Sequence, residues 1–258
     1  MDTSDVLQLI VTVAEDVVTP RFRRLGEGQV REKNPGDLVT VADTEAEAAL
    51  TAALSAAHPD ALVVGEEAVA ADPSLLDGLG RAEHAWVIDP IDGTANFVRG
   101  SEDHAVMVAE LRSGRAVRAW IHQPQHRTSW VAELGAGVWR DGHRVHREPV
   151  GDDPGSWRGV SSRARWRDAS FPPLGPIGTS AWCCGVDYPR LLTGETDFVV
   201  YSAPRPWDHV PGTLMLRELG GEARLTTGEH YRATSGGAPL VVGASPRVTD
   251  TVVDALAG

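Results

Sequence analysis

The chain has few lysines and few cysteines, and it lacks long apolar runs. Of its 258 residues, 24 are lysine or arginine and 36 are aspartate or glutamate, so the formal net charge is −12. Lys33 is the single lysine, which excludes the glycine-lysine loop of P-loop nucleotide-binding proteins. Nucleic acids and anionic membranes bind basic surfaces, so we expect neither as a principal partner of this acidic chain.

The two cysteines and the N-terminal segment narrow the class of protein further. Cys183 and Cys184 are adjacent, from which we expect neither a disulfide framework nor a four-ligand zinc site, but free thiols. No segment approaches the roughly 18 apolar residues of a membrane span. Residues 1–20 carry acids where a signal peptide carries bases. We therefore expect a cytoplasmic protein.

The first half of the chain predicts helices followed by strands. Apolar residues at three- and four-residue spacing predict a capped helix over 3–19, which Pro20 ends or kinks. A polar loop is predicted over 26–37, and the alanine- and leucine-rich segment 43–59 predicts a second helix. Further segments predict buried strands or an antiparallel meander: 61–67, 85–93, 104–111, 115–122 and 128–134.

The second half predicts a mixture of helices and strands. The predicted elements are a helix over about 180–193, a strand over 197–201, a helix over 210–221, a strand over 240–245 and a last helix to Leu256. The predicted class is therefore α/β or α+β. We expect a single unit, 1–258, with an N-terminal α+β lobe over about 1–150 and a C-terminal α/β lobe over about 151–258.

Three acidic clusters stand at predicted strand ends or helix starts. They are Glu66-Glu67, the turn from Asp89 to Thr94, and Asp208 ahead of a predicted helix. Carboxylates brought together repel one another, so a site that gathers them needs cations, and hard oxygen ligands favour magnesium, manganese or calcium over zinc. The proline and glycine of the sequence DPIDGT predict a tight turn that aims Asp89, Asp92 and the Ile91 carbonyl at one point.

The start of the next segment is a candidate phosphate site. The backbone amides of Gly93 and Thr94 open the segment TANFV, where free N–H groups and the helix dipole attract an anion. Metals on one side of a phosphate and amides on the other make a phosphoryl-transfer site. An aspartate in a turn is, taken alone, usually a helix cap.

Together these motifs resemble a known family. The segments that carry the resemblance are DLVTVAD (37–43), VVGEE (63–67), WVIDPIDGTANFVRG (86–100) and PWDHVPGTLMLRELGG (206–221). In order and spacing they resemble the inositol monophosphatase family of metal-dependent, lithium-sensitive sugar-phosphate phosphatases. The resemblance covers nearly the whole chain. It implies a layered αβαβα fold and a homodimer.

The resemblance also implies a set of metal ligands. Glu66, Asp89 and the Ile91 carbonyl would hold one Mg²⁺, and Asp89, Asp92 and Asp208 a second, with Asp89 bridging the two. A third, weaker ion would bind through Glu66 and water. The implied cofactor is thus Mg²⁺, two to three ions per active site.

Three residues are implied to be catalytic: Asp43, Thr94 and Glu66. Asp43 would hydrogen-bond the Thr94 hydroxyl, and this pair would orient and help to deprotonate a metal-bound water. That water attacks phosphorus in line while the second metal stabilises the departing alkoxide. Thr94 is then a positioning residue and not a covalent nucleophile.

The chain departs from the family pattern on the leaving-group side. Tyr201 stands seven residues before Asp208, at a position where the family members that act on inositol resemble one another in having an acid. Arg205 stands three residues before Asp208, where a histidine is common in the family. With Asp92 these two are the candidate substrate-binding residues, although a strand end and a solvated loop are equally good interpretations of Tyr201 and Arg205. The pocket wall is either 178–181 or 182–185, and the second choice brings both cysteines to the substrate.

The sequence thus predicts a Mg²⁺-dependent phosphomonoesterase of a small polyol or sugar phosphate, a small phosphorylated metabolite, with inositol 1-phosphate as nominal substrate. Histidinol phosphate, fructose 1,6-bisphosphate and 3′-phosphoadenosine 5′-phosphate are alternatives within the same chemistry. A non-catalytic metabolite-sensing protein of the same fold is the alternative from another class.

Overall fold

The chain contains both helices and strands in the computed structural model, which describes residues 1–257. The α-helices are α1 (Thr3–Val13), α2 (Val41–Ala57), α3 (Glu66–Ala71), α4 (Leu75–Leu79), α5 (Thr94–Val98), α6 (Ala164–Arg167), α7 (Cys184–Thr193), α8 (Pro206–Glu218) and α9 (Pro246–Ala257). The strands of the first half are β1 (Val30–Asn34), β2 (Asp37–Thr40), β3 (Leu62–Gly65), β4 (His84–Asp92), β5 (Ala105–Arg112), β6 (Arg115–Gln123), β7 (Thr128–Glu133), β8 (Gly137–Arg140) and β9 (His143–Arg144). Those of the second half are β10 (Gly159–Ser161), β11 (Ile177–Thr179), β12 (Phe198–Tyr201), β13 (Glu222–Leu225) and β14 (Leu240–Gly243).

The first predicted helix is confirmed, but only its first part is α-helical. Its N-cap is Asp2, whose side chain accepts the Asp5 amide while the Asp5 side chain accepts the Asp2 amide, a reciprocal capping box. After α1 the chain continues through a π-helical turn, Ala14–Val18, and a 3₁₀ turn that contains Pro20. The prediction of one helix to residue 19 was therefore too simple.

Helix α2 begins before the predicted start because its cap is Thr40. The Thr40 hydroxyl accepts the amides of Ala42 and Asp43, and the Asp43 carboxylate accepts the Thr40 amide at 2.8 Å. Asp43 thus lies in the first turn and does not open the helix. This capping box holds the Asp43 carboxylate through hydrogen bonds that are local in the sequence.

The predicted loop over 26–37 was wrong in part, since it contains β1. Strands β1 and β2 form an antiparallel hairpin in which Val30 pairs with Thr40 and Arg31 with Val39. The strand VREKN has no regular alternation of apolar side chains, so hydrophobic patterning gave no signal for it. Backbone pairing with β2 forms this strand instead.

The larger sheet confirms the predicted meander. In the described part of the chain its order is β3-β4-β5-β6-β7-β8-β9, with β3 parallel to β4 and each later pair antiparallel. Strands β8 and β9 were not predicted because they are short and largely exposed. The acidic ends of β3 and β4 lie on the same side, since these two strands run parallel.

The smaller sheet has the order β11-β10-β12-β14-β13 in the described chain, parallel among β11, β10 and β12 and antiparallel beyond. Helix α7 begins at Cys184 because 177–179 form β11, and helix α8 begins at Pro206, not at Val210. Proline is favoured in the first helical turn, where its missing N–H is not needed. Asp208 therefore lies inside α8 and not ahead of it, which corrects the prediction.

The layers follow the order helix, sheet, helix, sheet, helix, so the αβαβα expectation is confirmed. Helices α1 and α2 cover one face of the larger sheet, with Ile10 and Leu54 in one cluster with Trp86. Helices α7 and α8 fill the space between the two sheets, where Leu191 and Leu214 are fully buried. Helix α9 covers the outer face of the smaller sheet. None of the helices within residues 1–257 has the length and apolarity to cross a membrane.

The packing of α7 on α8 predicts the effect of one methyl group. A Cβ on Gly212 of α8 would overlap the ring of Tyr188, which is fully buried. We expect Gly212→Ala to lower the free energy of unfolding by about 1–3 kcal/mol through overpacking, measured by urea denaturation. The matched control is Gly236→Ala, whose Cβ meets no atom within 4 Å. An equal stability of both variants would contradict this packing.

Candidate active site

Three carboxylates converge where β4 ends and α8 begins. Asp89 and Asp92 belong to β4, whose pairing with β5 is irregular between these two residues, and Asp208 lies in the first turn of α8. One oxygen from each of the three carboxylates lies within 4.8 Å of the others. The convergence that the sequence predicted for these three residues is present.

This cluster carries negative charge that the described residues do not balance. Burial, and then the charges of Glu66, Asp92 and Asp208, raise the pKa of Asp89 well above its usual value. Burial also raises the pKa of Asp92 to about 6. Oδ1 of Asp89 is buried and has no hydrogen-bond partner among the described residues. Clustered hard oxygen donors with an unpartnered buried oxygen fit a divalent cation such as Mg²⁺.

The first turn of α7 holds the Asp92 carboxylate in place. The Cys183 thiol donates to Oδ2 of Asp92 at 2.9 Å, and the backbone N–H of Gly185 donates to the same oxygen. These two donors lower the pKa of Asp92, opposing the effect of its burial. Segment 182–185 therefore lies against the acids, as one of the two choices for the pocket wall requires.

Asp43 and Thr94 form the hydrogen-bonded pair that the resemblance implies. The Thr94 hydroxyl lies 3.0 Å from Oδ1 of Asp43 and 3.0 Å from the carbonyl oxygen of Ile91. The other oxygen of Asp43 accepts from the amide and the hydroxyl of Thr40, at 2.8 and 2.6 Å. Burial raises the pKa of Asp43 to about 7. The carboxyl group is thus close to the balance between its charged and neutral forms at neutral pH.

Glu66 stands near the cluster but outside the group of three within 4.8 Å, among the described residues. It opens α3, and the ammonium of Lys33 lies 2.9 Å from its carboxylate and 2.8 Å from that of Glu67. Burial alone would lower the pKa of Lys33, but these two carboxylates raise it above its usual value. Sequence analysis missed this ion pair because Lys33 belongs to the strand that it took for a loop.

Glu47 is a second residue that sequence analysis missed. Its carboxylate accepts the amides of Glu67 and Ala68, both at 2.8 Å, and so caps the N-terminus of α3. A Cβ at position 65 would overlap the Glu47 carboxylate, which explains the glycine of the GEE motif. No sequence signal marked Glu47, since it appears as one acid among several in α2.

Gly93 makes the turn from β4 into α5. Its φ is +82°, in the left-handed region that favours glycine, and a Cβ there would lie 3.1 Å from the Asp103 carbonyl oxygen and from the Cys183 Cβ. Thr94 follows as the first residue of α5. The phosphate-binding role of the Gly93 and Thr94 amides stays a prediction.

A cavity of about 690 Å³ opens beside the acids. Asp92, Asp208, Tyr201 and Arg205 all line it, so the candidate substrate residues lie next to the candidate metal ligands. The remaining lining residues are Asn34, Pro35, Gly36, Asp37, Ser162, Arg163, Ser180, Trp182, Cys183, Cys184, Asp187, Ser202, Ala203 and His209. Positions 178 and 179 belong to β11 and do not line it. Ser180 is the one residue of 178–181 among the lining residues, whereas 182–184 all line the cavity, so the structure favours 182–185 for most of the wall.

Tyr201 and Arg205 differ in their surroundings. The Tyr201 side chain is buried, and among the described residues its hydroxyl has no hydrogen-bond partner. Arg205 is exposed, and its guanidinium lies 6.0 Å from the centre of the Trp207 ring. Tyr201 therefore presents an unused donor at the cavity wall, while Arg205 brings a positive charge to the cavity edge.

Comparison with known proteins identifies the family. The model of the inositol monophosphatase family matches residues 3–256. The chain belongs to this family. Inositol-1-monophosphatase of Mycobacterium bovis is 31% identical over 245 residues, which covers 90% of this chain and 82% of that protein. Nus factor SuhB of Vibrio cholerae is 28% identical over 229 residues, covering 85% and 82%.

The solved structures agree with this assignment. An IMPase of Thermotoga maritima superposes with a TM-score of 0.81 at 22% identity, covering 100% of this chain and 99% of that one. That likeness concerns the fold. The family membership makes the chain a phosphoric monoester hydrolase of a metal-dependent family that acts on phosphorylated small molecules.

Asp187 gives a prediction for stability against pH. It is a buried cavity residue that sequence analysis missed; it accepts the Ala181 amide at 2.8 Å, and burial raises its pKa from 3.8 to about 7. Below pH 3.8 the carboxyl group is neutral in both the folded and the unfolded states. As the pH rises from 3.8 to about 7, Asp187 loses its proton in the unfolded state before it does so in the folded state. The contribution of Asp187 to stability therefore falls over this pH range.

We therefore expect Asp187→Asn to gain stability relative to the unchanged protein, by several kcal/mol between pH 4 and pH 7. The asparagine keeps an acceptor for the Ala181 amide, and the comparison cancels the titration of other groups. Urea unfolding in EDTA at a series of pH values measures the difference. A difference that stays constant with pH would show that burial does not perturb Asp187.

Proposed function

We propose that the protein is a Mg²⁺-dependent phosphomonoesterase that hydrolyses a small polyol or sugar phosphate, with inositol 1-phosphate as its nominal substrate. The observation that carries this proposal is the meeting of Asp89, Asp92 and Asp208 within 4.8 Å of one another, beside a cavity of about 690 Å³. Buried carboxylates this close repel one another, and a divalent cation offsets that repulsion.

Five residues are assigned to hold the metal: Glu66, Asp89, Ile91, Asp92 and Asp208. When bound, Mg²⁺ supplies a water of lowered pKa and offsets the charge of the substrate phosphate. Asp89 would be the bridging ligand that the family resemblance implies, and its buried Oδ1, which has no hydrogen-bond partner among the described residues, would be available to a cation. The Ile91 carbonyl already lies beside the Thr94 hydroxyl.

Asp43 and Thr94 are assigned to the movement of a proton. A carboxyl group with a pKa of about 7 is suited to accept a proton and to release it again at neutral pH. The Thr94 hydroxyl, held between Asp43 and the Ile91 carbonyl, is placed to accept from a water and to donate to Asp43. Thr94 therefore positions the nucleophile and forms no covalent bond with phosphorus.

The amides of Gly93 and Thr94 are assigned to the phosphate, because α5 starts directly after the acids of β4. Asp92, Tyr201 and Arg205 are assigned to the leaving group, since all three line the cavity. The Tyr201 hydroxyl is an unpartnered donor for a substrate hydroxyl. The positive charge of Arg205 also suits a leaving group with a second anion, as in fructose 1,6-bisphosphate or 3′-phosphoadenosine 5′-phosphate.

Two expectations concern assembly. A homodimer follows from the family resemblance, and light scattering with size-exclusion chromatography measures it. The relative from Vibrio cholerae is a Nus factor, so a role other than hydrolysis is the second candidate function. The non-catalytic alternative, a metabolite-sensing protein of this fold, is decided by turnover. Every position assigned to metal or to proton transfer holds a residue able to do that work.

The first experiment measures phosphate release by the purified protein, with Mg²⁺ and with EDTA. The panel holds inositol 1-phosphate, histidinol phosphate, fructose 1,6-bisphosphate and 3′-phosphoadenosine 5′-phosphate. Release that requires Mg²⁺ and strongly prefers one compound is the expected result. Metal binding without turnover of any compound would favour the sensing protein.

Asp89→Asn tests the assignment of the bridging ligand. The amide removes one negative charge and one metal-binding oxygen from a fully buried site, so we expect phosphate release to fall by several orders of magnitude. The fold should remain, because the neutral amide relieves repulsion among the acids. Phosphate release at saturating Mg²⁺, with far-ultraviolet circular dichroism, measures both effects.

The matched control is Asp77→Asn, which makes the same chemical change at an exposed position in α4. This variant should keep the activity of the unchanged protein. An Asp89→Asn protein that retained more than a few per cent of that activity would show that Asp89 is not the bridging ligand.

A further inference from the structure

A second group of ligand atoms shares Asp208 with the acidic cluster. The Cys184 sulfur, a carboxylate oxygen of Asp208 and a ring nitrogen of His209 all lie within 4.8 Å of one another. All three residues line the cavity of about 690 Å³. Thiolate, imidazole and carboxylate together are ligands that favour zinc, whereas the three aspartates offer only hard oxygen donors.

The His209 ring is already oriented as in a metal site. One ring nitrogen, Nε2, lies 2.8 Å from the carbonyl oxygen of Ala203, and the other, Nδ1, lies 3.2 Å from the Tyr188 hydroxyl. A carbonyl oxygen only accepts, so Nε2 carries the proton and Nδ1 keeps the lone pair, which accepts the Tyr188 hydroxyl proton here and must exchange that hydrogen bond for a bond to the metal. A backbone carbonyl that binds the far ring N–H is the usual support of a metal-bound histidine.

The two adjacent thiols have different surroundings. The Cys183 thiol donates to Asp92, whereas Cys184 is the cysteine that belongs to the group with His209. In a tetrahedral zinc site the donor atoms lie about 3.3–3.8 Å apart, given the usual bond lengths. The present separations of up to 4.8 Å require the donor atoms to close in by about 1.5 Å or less.

We propose that Cys184, Asp208 and His209 form a site for Zn²⁺, and that Zn²⁺ bound there inhibits the enzyme. On binding, the thiol proton leaves to solvent and a sulfur–zinc bond forms, so no group is oxidised or reduced. Inhibition follows because Asp208 belongs to both groups, and its carboxylate cannot turn fully towards the three-aspartate cluster while it binds Zn²⁺. The inhibition rests on the proposed function, whereas the binding of Zn²⁺ does not.

The binding is tested with Co²⁺ as the spectroscopic probe of the zinc site, in excess Mg²⁺. Cobalt bound to a thiolate absorbs in the near ultraviolet, whereas cobalt bound to carboxylates alone lacks this band. We expect one equivalent of Co²⁺ to produce the band, and Zn²⁺ to remove it by displacing the probe. Cys184→Ser should abolish the band.

The matched control is Cys183→Ser, whose hydroxyl can still donate to Asp92, and it should keep the band. A band that survives Cys184→Ser, or that vanishes only in Cys183→Ser, would show that the thiolate ligand is not Cys184 and would overturn the proposal. So would the absence of any thiolate band in the unchanged protein.

A third variant keeps the test decisive if Cys184→Ser does not fold, as judged by circular dichroism. His209→Gln should retain the thiolate band but require at least about tenfold more Co²⁺ to form it. An unchanged Co²⁺ affinity in this variant would remove His209 from the site and overturn the proposal.

The inhibition is tested separately by phosphate release at several Mg²⁺ concentrations. Zn²⁺ should inhibit less as Mg²⁺ rises, and Cys184→Ser should need at least about tenfold more Zn²⁺ for the same inhibition. Equal inhibition of both proteins would contradict the proposed mechanism of inhibition. If the protein releases no phosphate from any compound, the proposed function fails, while the cobalt spectra still decide the zinc site.

Discussion

The mutual repulsion of carboxylates at the end of β4 is the constraint on which this site depends. Asp89 and Asp92 sit at the end of a strand whose residues are almost all buried, and α8 brings Asp208 to the same point. Water cannot screen charges in such a place, so their pKa values rise. The surrounding fold must hold the acids together against this repulsion. The helices packed on both sides of the larger sheet hold β4 in place.

The hydrogen bonds around the acids are arranged to hold them individually. Asp92 is bound by the first turn of α7, Asp43 by Thr40 in the capping box of α2, and Glu66 by Lys33. Each of these three partners belongs to a different element, so three separate parts of the chain hold the acids. Lys33 is the single cation in direct contact with Glu66 among the described residues, and it comes from the hairpin of β1 and β2.

The sequence predicted the parts of the site that are formed by residues close together in the chain. The spacing of Asp89, Asp92 and Thr94 follows from one strand and one turn, and the meander follows from alternation along β5, β6 and β7. Lys33, Glu47 and Asp187 escaped prediction because their partners are distant in the chain and no local pattern marks them. Asp208 was assigned correctly to the cluster but placed outside its helix, since Pro206 was not recognised as the helix start.

Helix α2 connects two of these functions through its geometry. Asp43 and Glu47 lie one turn apart on the same face of the helix. Asp43 accepts from the Thr94 hydroxyl, and Glu47 caps α3 by accepting the amide that follows Glu66. The helix therefore sets the distance between Asp43, the candidate proton acceptor, and Glu66, a candidate metal ligand. One residue inserted between Asp43 and Glu47 would rotate their side chains relative to each other by about 100° around the helix axis. The spacing of these two acids within α2 is therefore a geometric requirement of the site, whereas the outer face of the helix makes neither contact.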